Sequence, residues 1–380
     1  MKIEELDAIK KLDFNMCMQC GECTGSCPVS SKSKLNPRRL MLEIAYTISP
    51  TMTMYPPLDI RERSEVWDCT TCRTCSYRCP RDVNPMDILI GLRGLLVEEG
   101  RVPRTLGDAL EGVYKYGNPW GLGRSKRSDW AQDLEVKYVT EGEKAELLYF
   151  VGCAASYDSR AQEVARALVR NLSRLGIDFS ILGNKETCCG NEVYSLGEKG
   201  LFEELAEKNL GLFDQYGVNR IITTSPHCFH AFKNRYRREL PAQHYTQYFA
   251  DLIDKGKLKF SGRFEKAVTY QDPCFLGKHN DIYDEPRKII ESIPGIKFLE
   301  LRMSRTRSVC CEGGGGRMWH DVPGERLAEA RVREAINLGA EILVVACPFC
   351  LLTFDDAIKT TGSEDKIQVM DIMELVAEGL

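Results

Sequence analysis

The sequence predicts a multidomain protein of mixed α+β and α/β class, with a mostly helical N-terminal domain followed by two repeated α/β units. Three observations carry this. The runs CMQCGECTGSCP and CTTCRTCSYRCP each set four cysteines at one spacing: Cys17, Cys20, Cys23 and Cys27, then Cys69, Cys72, Cys75 and Cys79. The apolar residues near them recur at helical spacing. From about residue 144, strand-like runs alternate with helical ones twice over, and each round carries two adjacent cysteines, Cys188-Cys189 and Cys310-Cys311.

The chain of 380 residues has room for two or three domains with sizeable cores. A net charge of -4 gives no general basic field for nucleic acid or anionic lipid, so no nucleic-acid partner is expected. The basic stretch GRSKRSDW (123–130) reads as a solvated linker face. The opening MKIEELDAIKK is charged and lacks an apolar core segment, so no secretory signal is expected. In a reducing compartment, 17 cysteines mean metal or redox chemistry more often than disulfides. Adjacent cysteines in particular rarely bridge to each other. The expected location is cytoplasmic, or peripheral on the inner face of a membrane through a partner. The longest apolar stretch, ILVVACPFCLLTF (342–354), is too short to span a bilayer, so no transmembrane segment is expected.

Both N-terminal runs read C-x2-C-x2-C-x3-C-P. This is the bacterial ferredoxin spacing, in which the fourth cysteine ligates the other cluster. Cys17, Cys20, Cys23 and Cys79 are therefore expected to hold one [4Fe-4S] cubane, and Cys69, Cys72, Cys75 and Cys27 a second. Zinc would also take four thiolates, but it has no need of the triple spacing and the proline. NPRRLMLEIAYTIS (36–49) and NPMDILIGLRGLLVEEG (84–100) each read as a helix opened by proline, the second stopped by Gly100. Residues 1–100 thus form a helical two-cluster ferredoxin domain. Residues 101–143 read as an extended connector with a short helix, and its Trp120 and Trp130 are expected to pack on the domains.

The repeat defines two further domains, 144–265 and 266–380. AELLYFVGC (145–153) corresponds to KAVTYQDPC (266–274), RIITTSPHC (220–228) to EILVVACPFC (341–350), and HYTQYFADLIDKGKL (244–258) to VMDIMELVAEGL (369–380). Helical patterns at 159–176 and 324–339 lie between, which suggests short parallel sheets with cysteines at strand ends. The second unit reads C-x35-CC-x35-C-P-F-C, through Cys274, Cys310, Cys311, Cys347 and Cys350. The first reads C-x34-CC-x35-S-P-H-C, through Cys153, Cys188, Cys189 and Cys228, with Ser225 where the second has Cys347.

This pattern resembles the CCG, or cysteine-rich, domain, with Cys188-Cys189-Gly190 in the first unit and Glu312 intervening before Gly313 in the second. A helical two-cluster ferredoxin joined to two such domains resembles the D-type subunit of heterodisulfide reductase, equivalent to the C-type and B-type subunits fused in one chain. The DsrK-type subunits and the iron-sulfur subunits of glycolate oxidase and anaerobic glycerol-3-phosphate dehydrogenase are related. The resemblance implies that the five cysteines of the second unit hold a noncubane [4Fe-4S] cluster. Cys310 and Cys311 then lie at the centre of catalysis, and His227 and His279 are the candidate proton donors. The run Gly313–Gly316 reads either as a close-approach loop offering N–H groups to sulfide or substrate anions, or as a flexible turn. For the first unit, three readings stand: a four-cysteine variant cluster, a zinc or otherwise degenerate site, or thiols lining a pocket. A site without a full noncubane cluster is favoured. His230, His244 and His320 are expected in ordinary structural roles.

The implied function is an iron-sulfur oxidoreductase that takes electrons through two cubanes to reduce a small disulfide, or to oxidise thiols. Its partner is then a membrane b-type cytochrome subunit or a flavoprotein. The alternative is an electron-transfer subunit of a flavin-dependent lactate, glycolate or glycerol-3-phosphate dehydrogenase, without chemistry of its own. A metal-bearing interaction scaffold is a third reading. No G-x-G-x-x-G follows a strand, so any flavin is expected on a partner.

Overall fold

A computed structural model describes residues 16–48, 58–143 and 145–380. The opening MKIEELDAIKK and Ser49, the last residue of the expected helix 36–49, lie outside the described residues. The chain divides into two compact units. The first comprises the residues up to Gly107 together with two excursions, Glu192–Gly200 and Gly313–Glu325. The second comprises Asp108–Asn191, Leu201–Glu312 and Arg326–Leu380.

The first unit is helical. Pro37–Ile48 opens where Asn36 Oδ1 accepts the Arg39 N–H and Thr24 Oγ1 accepts that of Arg38. Its buried stripe is Leu40, Met41 and Ile44. Pro85–Glu98 starts on Asn84, whose side chain accepts the Asp87 N–H, and Gly100 closes it at φ 70°. It is buried on nearly all sides from Pro85 to Leu96, as a core helix must be when it is apolar all round. One arginine, Arg93, lies in that apolar surface and is fully buried.

The second unit holds both repeats, each on its own all-parallel sheet. The first has the order β1-β3-β2-β4-β5, with β1 at Lys137–Tyr138, β2 at Leu148–Tyr149, β3 at Ser180–Ile181, β4 at Ile221–Thr223 and β5 at Ala242–His244. The second has the order β7-β6-β8-β9, with β6 at Ala267–Tyr270, β7 at Lys297–Leu299, β8 at Ile342–Val345 and β9 at Gln368–Asp371. Strands β3, β2, β4 and β5 thus correspond to β7, β6, β8 and β9. Central strands β4 and β8 are buried along their whole length, as parallel strands covered on both faces are.

The repeats pack reciprocally. The helix Ser159–Arg174 of the first lies on Ile372–Gly379 of the second, and Tyr245–Asp254 of the first lies on Asp284–Ser292 of the second. Arg160 forms a two-pronged pair with Glu374 at 2.6 and 2.8 Å, and Asn171 Nδ2 donates to the Met373 carbonyl at 2.9 Å. Lys288 meets Asp254 at 2.7 Å.

The connector departs from its expected form. Residues 137–138 add strand β1 to the first sheet, and Arg104–Tyr116 is a helix of 13 residues. The stretch 123–130 is not wholly a solvated face either. Arg127 and Trp130 are buried, and Trp130 packs edge-on against Tyr149 of β2. Among the described residues no helix is long and apolar enough to cross a membrane.

Candidate functional site

In the first unit, Cys17, Cys20, Cys23 and Cys79 line one cavity, and Cys27, Cys69, Cys72 and Cys75 line another. Both motifs bend the same way to do this. Gln19 and Thr71, each two residues after the first cysteine, take φ of 57° and 51°, and Gly21 and Arg73, four residues after it, take 89° and 62°. Left-handed turns at these points fold three thiols inward, and the fourth comes from the other motif. The Thr71 N–H points at Cys69 Sγ at 3.4 Å. Burial pushes the Cys23 thiol up to about 11 and the Cys69 thiol up to about 12, and the neighbouring thiols push in the same direction. Four thiolates crowded in this way need cations among them to ionise. Thiols spread around a cavity suit the ligands of a multi-iron cluster.

In the second unit every cysteine follows the carboxyl end of a strand: Cys153 and Cys274 after β2 and β6, the adjacent pairs after β3 and β7, and Cys228, Cys347 and Cys350 after β4 and β8. In the second repeat Cys274, Cys310, Cys311, Cys347 and Cys350 are all buried. The Cys350 and Cys311 sulfurs are 3.0 Å apart. Burial would raise the Cys347 thiol, but hydrogen bonds from Cys350 and from His227 bring it down to about 5.

His227 belongs to the first repeat, yet it is hydrogen-bonded to Cys347 of the second. Arg235 donates to Asn191 Oδ1 at 3.1 Å, which orients the amide so that Nδ2 faces His227 Nδ1 at 3.1 Å. Nδ1 is then an acceptor, and the imidazole carries its proton on Nε2. The ring packs against Phe275 and Phe349, with centroids 4.1 and 4.8 Å away. Phe349 holds in CPFC the place that His227 holds in SPHC, so the two turns meet. His279 is buried and stacks on Phe275 at 4.1 Å with an interplanar angle of 7°, and His230 meets it edge-on at 4.8 Å. His244 is a core residue: its Nδ1 meets Thr246 Oγ1 at 2.7 Å, and burial holds the imidazole down at about 3. His320 Nε2 lies 3.7 Å from Asp68 in the first unit.

In the first repeat Cys153, Cys188, Cys189 and Cys228 are hydrogen-bonded in series, and the Cys153–Cys188 bond with burial lifts the Cys153 thiol well above its ordinary range. Ser225 acts as a helix cap, its Oγ accepting the Cys228 N–H at 3.4 Å. Cys347 stands at the same helix start with no side-chain cap. Beside Cys153 lies the connector's Arg127, with Nη2 3.5 Å from the sulfur and 2.7 Å from Glu186 Oε1. Glu186 in turn accepts the N–H groups of Val151 and Gly152 at 2.9 Å. Sequence reasoning missed this buried pair, because one arginine among the several basic residues of a connector gives no sign of burial.

The glycine run approaches the backbone of the second ferredoxin motif closely: a Cβ on Gly315 would lie 2.4 Å from the Cys69 carbonyl oxygen. The Gly316 N–H is given to Glu192 at 2.9 Å, and the Gly315 carbonyl accepts from Arg93 at 3.2 Å.

A two-cluster ferredoxin fold carrying two parallel-sheet cysteine domains defines an iron-sulfur oxidoreductase of the electron-transfer class. Comparison with known proteins agrees: the cysteine-rich CCG domain matches residues 147–233 and 268–355, and the 4Fe-4S dicluster domain matches 13–83. The chain is 33% identical to the D-type subunit of the dihydromethanophenazine:CoB–CoM heterodisulfide reductase of Methanosarcina barkeri, over 99% of this chain and 96% of that one. The chain belongs to this family of D-type heterodisulfide reductase subunits. It is also 33% identical to the probable iron-sulfur-binding oxidoreductase FadF of Bacillus subtilis, over 100% of this chain and 61% of the relative. It is 31% identical to the EtfAB:quinone oxidoreductase of Syntrophomonas wolfei, over 98% of this chain and 59% of the relative. The chain therefore spans about three fifths of the length of these last two relatives.

Proposed function

We propose that this chain is the disulfide-reducing, or thiol-oxidising, subunit of a heterodisulfide reductase-like complex. Cys17, Cys20, Cys23 and Cys79 would hold one cubane, and Cys27, Cys69, Cys72 and Cys75 the other. Cys274, Cys310, Cys311, Cys347 and Cys350 would hold a noncubane [4Fe-4S] cluster. Such clusters, when bound, supply one-electron storage and, in the opened form, iron accessible to a substrate sulfur. The remaining chemistry belongs to the chain's own groups. Phe275 and Phe349, both buried against His227, would keep water from the sulfur centre. His227, with its proton on Nε2, is placed to hold or deliver the proton that a departing thiolate needs. His279 stands further along the same ring stack as a proton reserve. The electron partner is a membrane b-type cytochrome or a flavoprotein, so the chain would work in the cytoplasm or on the inner face of the membrane.

The single observation behind this reading is the thiol cluster of Cys311, Cys350 and Cys347, in which the Cys311 and Cys350 sulfurs lie 3.0 Å apart and His227 of the opposite repeat is hydrogen-bonded to Cys347. The first repeat lacks the fifth thiol, and its Ser225 hydroxyl is engaged as a cap. A four-cysteine site without a full noncubane cluster fits there. The similarity to the EtfAB:quinone oxidoreductase of Syntrophomonas supports a second reading, an electron relay between a flavoprotein and a quinone.

Iron and sulfide content of anaerobically purified protein separates the two. Two cubanes give about eight irons per chain, one noncubane more gives about twelve, and two give about sixteen. The proposal expects about twelve, with an EPR signal that appears on adding small thiols to the oxidised protein and disappears in Cys311→Ser. About eight irons and no thiol-dependent signal would leave only the relay.

A further inference from the structure

Arg93 is the one cation inside the apolar helix Pro85–Glu98, and its side chain is fully buried. A guanidinium has five N–H donors. Here each has a backbone carbonyl: Nε meets Val66 at 2.9 Å, Nη1 meets Ser195 at 2.8 Å and Gly315 at 3.2 Å, and Nη2 meets Trp67 at 3.2 Å and Cys69 at 2.7 Å. These carbonyls come from three places in the sequence. Val66, Trp67 and Cys69 lead into the second ferredoxin motif. Ser195 and Gly315 lie in the two excursions that follow Cys188-Cys189 and Cys310-Cys311.

The backbone around the arginine is built for this contact. A Cβ on Gly315, at φ +67°, would lie 2.4 Å from the Cys69 carbonyl oxygen. A Cβ on Gly197, at φ +88°, would lie 2.4 Å from the Gly94 nitrogen. Only glycine lets both excursions come so close to the ferredoxin backbone. Glu192 completes the arrangement by accepting the Gly316 N–H, which ties one excursion directly to the other.

We propose that Arg93 is a positioning residue for electron transfer. It locks the loops leading from both adjacent-cysteine pairs onto the peptide of Cys69, and it places a fixed positive charge at the cluster held by Cys69, Cys72, Cys75 and Cys27. It touches no substrate and acts through the carbonyls it holds. Cys69 is the cysteine of that cluster whose peptide the clamp grips, and the gripped loops run on in sequence from both adjacent-cysteine pairs, so this cubane is assigned as the one that passes electrons on. The other cubane, with its exposed Cys20, is the entry. A buried cation close to a cluster stabilises the reduced, more negative state and raises its potential.

This inference rests on the reading that these four cysteines hold a cubane, so the iron content of the wild-type protein is measured first. At least eight irons per chain satisfy that reading, and fewer sink it independently of Arg93. The test proper is an EPR-monitored redox titration of anaerobic Arg93→Met and Arg93→Lys proteins, with the rate at which dithionite-reduced cubanes pass electrons to an added small disulfide, reduced to two thiols, followed by rapid freezing. In Arg93→Met, one cubane potential should move negative while the other stays, and transfer beyond the cubanes should slow by at least tenfold. In Arg93→Lys, which keeps the charge but cannot bridge five carbonyls, the potential should stay near wild type while transfer still slows. Unchanged potentials and rates in an iron-replete Arg93→Met protein overturn the proposal. If Arg93→Met does not hold iron, Glu192→Gln decides. Losing that neighbouring negative charge should move the same cubane's potential positive, and an unmoved potential overturns the proposal.

Discussion

Glu312 follows Cys310-Cys311 at φ 81°, the angle Gly190 takes after Cys188-Cys189. Both N–H groups point at the first sulfur of their pair, at 3.3 Å for Glu312 and 3.4 Å for Gly190. The turn is thus the same turn, made once with glycine and once with a side chain that pays about 1–2 kcal/mol for a left-handed backbone. The carboxylate offsets this by accepting the Leu327 N–H at 2.8 Å, at the start of the helix Leu327–Asn337. Glu312→Ala keeps the strain and loses the cap, so it should lower stability by roughly 1–2 kcal/mol. Glu312→Gly loses both and should fall between Glu312→Ala and wild type. Thermal midpoints of the three proteins give the order, and Glu312→Gly below Glu312→Ala would sink the account. The missing glycine of the second motif was legible in the sequence. That glutamate preserves the turn and caps a helix was not, because the motif records residue types and not backbone angles. Arg93 had left a trace, a lone arginine between glycines in ILIGLRGLL, but a helix pattern cannot say which carbonyls will surround it.

At the scale of elements, the long and periodic segments were readable and the short ones were not. The helices at 159–174 and 85–98, and the strands before each S/C-P-x-C turn, follow from apolar spacing. Strands β3 and β7, two and three residues long, do not: a run that short carries no period, and only pairing with β2 and β6 makes it a strand. The end of β9 shows a device of the same kind. Asp371 caps Ile372–Gly379 by accepting the Met373 N–H at 2.9 Å, and Tyr245 of the first repeat donates to the same oxygen at 2.8 Å. Its other oxygen has no hydrogen-bond partner among the described residues. Burial raises this carboxyl to about 8. A carboxyl with a raised folded pKa favours the folded state while protonated, and that contribution fades as pH rises from about 4 through about 8. Asp371→Asn stays neutral and keeps a capping oxygen. Its stability relative to wild type should therefore climb across that window, by on the order of a few kcal/mol, and level off above it. Denaturation midpoints at pH 5, 7 and 9 test this, and a difference independent of pH would show that Asp371 is ionised throughout.

For the whole molecule, the duplication explains both what was legible and what the reaction needs. Cysteine spacing displayed two equivalent sites because spacing survives duplication, so the candidate ligands could be read off directly. The division of labour between the repeats could not, because it depends on which turn faces which. In the structure, the SPHC turn of the first repeat lends His227 to the second repeat's Cys347, while CPFC returns a phenylalanine against the same ring. Under the proposed function, the first repeat, short of one thiol, would act as the acid-base half of a site whose sulfur half lies in the second. His227→Phe makes the two turns alike and leaves every cysteine in place. If the proposed division holds, this variant keeps its iron and sulfide but reduces a small disulfide roughly 10²-fold more slowly, the scale expected for loss of one positioned proton donor. Asn191→Leu keeps the imidazole but frees its tautomer, and it should show a smaller loss of the same kind. Anaerobic stopped-flow assays on reduced, iron-replete proteins measure both. Full-speed reduction by His227→Phe would move the proton source to His279, and the same assay on His279→Phe would then carry the loss.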